Sequence, residues 1–193
     1  MPELPSAGGG PLSADHLNAL ADARLRSKKV RRAAGVATVG GWTMGLFAAI
    51  TFVGGLFGDW IALALGIGLG VVAVNELRGA AKLRRFEVDG TRLLGWNQIG
   101  LGAMLVAYAA WSLWSALSHP MLEQVGATGD ADMDAMIGRI STMASWGLYG
   151  GVAVIGVVGP GLTAWYYFTR AKVVRKMVEG TPAWVIAAMR ATN

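Results

Sequence analysis

The chain has 193 residues and a formal net charge of +5; 54% of it is hydrophobic, 15% is charged and 28 residues are glycine. An average soluble domain carries about 25% charged residues. The composition therefore excludes a disordered, charge-rich chain, and the absence of cysteine excludes a disulfide-stapled secreted domain.

Residues 1–12, rich in proline and glycine, read as a disordered N-terminus. Ser13 is placed to cap a basic helix over 13–32. Leu17, Leu20 and Leu25 give that helix a thin apolar stripe, as expected of a segment lying on a membrane surface before the chain turns inward. No short apolar core of a cleavable signal precedes residue 33, so the first apolar segment reads as an uncleaved anchor.

Four runs contain no Asp, Glu, Lys or Arg: 33–58, 60–75, 93–122 and 140–169. A spanning helix needs about 20 mostly apolar residues. Backbone inside lipid must satisfy its own hydrogen bonds, which favours helices, and no closely spaced alternating pattern suggests a β-barrel. The expected fold is all-α: an integral membrane bundle of four transmembrane helices, with spans at about 35–57, 60–78, 93–117 and 142–168, and amphipathic flanking helices at both termini. The second run is short. It spans only if Glu76 sits wet at the headgroup boundary.

Gly58 and Asp59 join the first two spans in a very short turn. The 79–91 connection contains Val88-Asp89-Gly90, a turn signal. In the longer connection of 118–139, Gly126 to Gly129 reads as a bend. Asp130 then caps a short surface helix whose apolar face is Met133, Met136, Ile137 and Ile140. Gly180 ends the fourth helix, and Thr181-Pro182 suits the start of a last short helix within 179–193. Lys29-Val30-Arg31-Arg32 before Gly41-Trp42 echoes Lys82-Leu83-Arg84-Arg85 before Gly95-Trp96, a hint of duplicated hairpins.

Of 17 Lys and Arg residues, only Arg139 falls on one side of the four spans. The positive-inside rule then places both termini and the 78–92 loop in the cytoplasm, and the absence of an organelle signal favours a bacterial inner membrane. That face balances to +9 and the other to −4. The basic residues hug helix ends, where anionic lipid headgroups are the expected partner, and nucleic acid is not. Trp60, Trp111, Trp114 and Trp146 mark one boundary and Trp96 and Trp165 the other, while Trp42 lies inside a span.

Small residues are spaced for close helix approach: Gly41 with Gly45, Gly54 with Gly58, Gly66 with Gly70 and Gly147 with Gly151. Pro160 is expected to kink the fourth span and is a candidate hinge among Gly156, Gly159 and Gly161.

The best polar cluster is Asn75 and Glu76 at the end of the second span with Asn97 and Gln98 at the start of the third. Such groups are costly within a membrane unless paired. They suit either an ion or proton site centred on Glu76 or a structural clamp in which Glu76 pairs with Arg78 or Arg85. Asp130, Asp132 and Asp134 are spaced like the first ligands of an EF-hand loop. However, Ala135 replaces the required glycine and Ser141 the bidentate glutamate. His119, Met121, Met133, Met136 and Met143 are weak metal candidates through thioether affinity for Cu(I). No catalytic constellation or nucleotide loop is present, so neither enzymatic activity nor a cofactor is expected. The leading expectation is a non-catalytic structural or assembly subunit that packs with membrane partners or with itself. The alternatives are a small transporter or channel component, or an extracytoplasmic metal binder.

Overall fold

The structure is a computed structural model, and it describes residues 13–119 and 128–192. The disordered N-terminus, the Gly126 bend and Met121 expected above lie outside these residues. The described residues form five helices and no strand: α1 (Ala14–Gly55), α2 (Trp60–Arg84), α3 (Val88–Ser118), α4 (Ala131–Glu179) and α5 (Ala183–Ala191). α1 to α4 are each long and apolar enough to cross a membrane, which identifies a multi-pass membrane protein. α1 packs chiefly on α2, α2 on α3, and α3 on α4, in an up-down order. α1 closes on α4 at the basic end of the bundle, where Ala23, Val30, Ala33, Ala34 and Ala37 share a core with Tyr167, Val174 and Met177.

Two expected breaks are missing. The basic 13–32 segment does not turn onto a surface but is continuous with the first span in one 42-residue helix. At 1.5 Å per residue its first 19 residues extend roughly 28 Å beyond the apolar run. The reason is a row of small residues at 3.5-residue spacing. Ala23, Ser27, Val30, Ala34, Ala37 and Gly41 are all buried and run straight through the expected bend. Leu17 and Leu25 point outward instead, and Leu20 is only partly buried. Likewise, the expected surface helix at 130–140 is the first turns of the 49-residue α4. No proline or left-handed glycine lies between Ala131 and Ser145, and Ser141, Thr142 and Ser145 return their hydroxyls to carbonyls of their own helix.

The α1–α2 turn is built as the sequence suggests. Gly58 adopts φ 105°, and Asp59 caps α2 by accepting from the Ile61 and Ala62 amides at 3.0 and 2.9 Å. Asp59→Ala is expected to destabilise the hairpin by about 1 kcal/mol, with Asp59→Asn close to wild type, in thermal unfolding in detergent. Equal loss in both variants would show that the cap is not what matters.

The α2–α3 turn differs from expectation. Val88-Asp89-Gly90 is not the turn but the first turn of α3. The chain reverses at Arg85–Glu87 instead, with Phe86 at φ 59° and buried. Gly90 is needed there for contact: a Cβ would lie 2.9 Å from that of Lys82 and 3.1 Å from the Gly79 carbonyl oxygen. At the other end of α4, the Thr181 hydroxyl donates to the Met177 carbonyl rather than capping α5, and Pro182 precedes the first residue of α5. α5 folds back on the basic end. The Trp184 ring meets His16 at 5.0 Å, Arg190 Nε donates to the Arg85 carbonyl, and Arg26 donates to the Gly180 carbonyl that closes α4.

Candidate functional site

The polar cluster forms at the α1–α2–α3 contact. Glu76 faces away from lipid and is buried, with 1% exposure, so it is not the wet boundary residue that a short second span would need. α2 reaches this depth because it runs on to Arg84. The carboxyl is held from α3. Gln98 Nε2 donates to Oε1 at 2.7 Å and Asn97 Nδ2 at 3.1 Å. Asn97 Nδ2 also donates to the Val72 carbonyl at 3.0 Å, so one amide ties together a backbone and a side chain of α2.

The expected clamp partners are not used. Arg78 and Arg85 are both exposed. An arginine at either position would have to fold back into the apolar layer, whereas Asn97 and Gln98 already face α2 at the right height. Glu76 Oε2, on the side toward α1, is buried and has no hydrogen-bond partner. It lies beside Gly40, where a Cβ would stand 3.8 Å from it, while a Cβ at Gly41 would meet the Leu77 side chain at 2.9 Å. Gly41 makes the room in which Leu77 and the Glu76 Cβ pack, and Gly40 leaves the carboxyl in ordinary contact with α1.

Asn75 is not part of the hydrogen-bonded group. With Asn97, Trp96 and Gly68 it lines a groove of about 460 Å³ between α2 and α3. Gln98 lines a second groove, of about 540 Å³, between α3 and α4, together with Gly102, Gly156, Pro160 and Gly161. The carboxyl thus sits between two grooves, joined to each by one amide.

α4 runs through Pro160 without interruption. Proline has no N–H for the Gly156 carbonyl, and that oxygen lies against Gly102, where a Cβ would come within 2.7 Å. Pro160 is buried, so the candidate hinge is also a packed contact.

The expected glycine pairs divide. Gly41, Gly45 and Gly66 face the neighbouring helix within the chain, whereas Gly54, Gly70, Gly147 and Gly151 have nothing within 4 Å of where a Cβ would stand. Gly58 lies in the turn rather than on a packing face. Other glycines do the packing that the sequence pattern did not single out. Gly55 meets Leu63, Gly68 meets Met104, Gly79 meets Leu94, and Gly95 meets Phe168. The missed signal is a register: 41 faces 77, 45 faces 73, 52 faces 66 and 55 faces 63, so glycine stands on one helix or the other at each crossing.

At the opposite end, Asp130 accepts from the Asp132 and Met133 amides as the cap of α4. Asp134 accepts from the Thr128 hydroxyl at 2.7 Å and from its amide, and these bonds hold its carboxyl below the usual carboxylate range. Asp132, Met133 and Met136 are not gathered with them around a common point; Met133 and Met136 are exposed along α4. His119 lines a groove with Ser141, Ser145 and Tyr149. Among the described residues no three His, Asp or Glu side chains are grouped to hold a metal ion.

No protein-family model matches the chain, and no curated protein or solved structure matches it either.

Proposed function

We propose that this multi-pass membrane protein is a non-catalytic subunit whose role is assembly with a partner membrane protein or with a second copy of itself. It would sit in a bacterial inner membrane with its basic end and both termini in the cytoplasm, where 16 of its 17 Lys and Arg residues would meet anionic headgroups. The observation that carries the reading is the outer face of α4. Gly147, Gly150 and Gly151 lie along it with open space where a side chain would be. In lipid, helices associate through close backbone approach at small residues, and a glycine facing only lipid contributes nothing. Only 17–28% of the apolar window of each span is buried within the chain, which leaves ample surface for such a contact.

The test is extraction in mild detergent followed by native mass spectrometry. A defined complex is expected, and Gly147→Leu/Gly151→Leu should dissociate it while the chain itself stays folded. A single chain carrying only lipid would overturn the reading. A small transporter or channel component is the second reading, favoured by the buried, half-partnered Glu76. Under it, Glu76→Gln abolishes a measurable flux at unchanged expression. For the metal-binding alternative, no three His, Asp or Glu side chains are grouped among the described residues.

A further inference from the structure

We propose that Glu76 is an exchangeable site for a positive ion, either a proton or an alkali-metal ion. This inference does not depend on the assembly reading, because it concerns the interior of one chain.

Three observations carry it. The carboxyl is 1% exposed inside an apolar bundle. Both of its hydrogen bonds, from Asn97 and Gln98, converge on Oε1. Oε2 is buried with no donor, beside a glycine that supplies no side chain. Neutral amides cannot cancel a full negative charge, and an isolated buried carboxylate is too costly to persist uncompensated. Among the described residues no hydrogen bond joins a cation to the carboxyl. α1 presents Gly40 and Gly41 here; its nearest charged residue along the helix is Arg32, two turns away. On α2, Arg78 is exposed and Arg84 is turned to Thr38. On α3 the nearest charge is Arg92, which is exposed. On α4, Tyr167 is within electrostatic reach of Glu76, and the Arg170 guanidinium lies over the Tyr166 ring at 4.6 Å.

A structural clamp would be built differently. It would spread two donors over two oxygens, or would use glutamine at position 76, which bonds without a charge. The arrangement here holds one oxygen fixed and leaves the other to bind. Access is provided by Gln98, which is only partly buried. It touches the carboxyl and also lines the groove beside Pro160, so rotation of its amide would open Glu76 to that groove.

The full chain, reconstituted in phosphatidylcholine–phosphatidylglycerol vesicles, is followed by difference infrared spectroscopy in the carboxyl region. Spectra are taken against pH at constant potassium, and against sodium and potassium at constant pH. Wild type is expected to show a protonated-carboxyl band that comes and goes with pH, and Glu76→Gln to lack it. If the ion is an alkali metal, the carboxylate stretch shifts with the cation added instead, and that shift too is lost in Glu76→Gln. Gly40→Ser places a hydroxyl within reach of Oε2. A new donor to the charged form should weaken proton uptake by about tenfold, and a hydroxyl oxygen there should change the cation-dependent shift, which keeps the test decisive even if Glu76→Gln does not fold. A Glu76 spectrum unchanged by pH and by either cation, or uptake unaltered in Gly40→Ser, overturns the proposal.

Discussion

Gly66→Leu is expected to unfold the α1–α2 hairpin, whereas Gly70→Leu, one turn along the same helix, should leave the protein at wild-type stability. The two glycines are alike in sequence: both lie in α2 and four residues apart. They differ in what stands opposite. A Cβ at Gly66 would lie 2.6 Å from the Phe52 amide nitrogen, 2.8 Å from its Cα and 3.0 Å from its Cβ. Two of these three atoms are backbone in the last turn of α1, so no rotamer change relieves the overlap. Overpacking a core costs about 1–3 kcal/mol when side chains can adjust. Here the helices themselves must separate, so a loss at or above the top of that range is expected. At Gly70 nothing lies within 4 Å, and the new side chain would enter lipid or a partner. Denaturant titration of both variants in bicelles reads the difference. Similar destabilisation at the two positions would mean that the α1–α2 register is not the one described.

Phe86→Ala should cost about 3–5 kcal/mol, the usual loss for a buried aromatic ring, and Phe86→Gly should cost about 1 kcal/mol less. That order inverts the usual one, in which glycine is the worse replacement. Phe86 is 2% exposed and packs into the core at the basic end with Leu83, Leu94 and Val185. It does so from φ 59°, where an L-residue bears a penalty of about 1–2 kcal/mol that glycine escapes. Both variants lose the ring, and only alanine keeps the strain. Because Arg190 of α5 is hydrogen-bonded to the neighbouring Arg85 carbonyl, the damage should appear first as faster amide exchange in α5. Thermal unfolding that finds Phe86→Gly less stable than Phe86→Ala would contradict the strain argument.

The candidate site was half legible. That Glu76, Asn97 and Gln98 come together follows from two antiparallel spans and a short connection, which put their polar ends at one depth. Sequence could not tell which face of α2 Glu76 occupies. Asn75 and Glu76 are neighbours, separated by about 100° around the helix. One opens to a groove and the other is buried. Only the position of α1, with Gly40 and Gly41 against it, decides that.

By itself the sequence determined that four apolar segments form helices, that the first two reverse at Gly58-Asp59, that Asp130 caps a helix and that Gly180 ends the last long one. These are local matters: lipid leaves the backbone no alternative to its own hydrogen bonds, and caps act within a turn of the chain. Tertiary structure decided the rest. It kept α1 straight through the basic boundary, because the small-residue row from Ala23 to Gly41 has α2 and α4 to lie against. It also sorted the glycines into those that carry helix crossings and those left open. That choice depends on the opposing atom a few ångströms away, and a residue's own neighbours in sequence do not encode it.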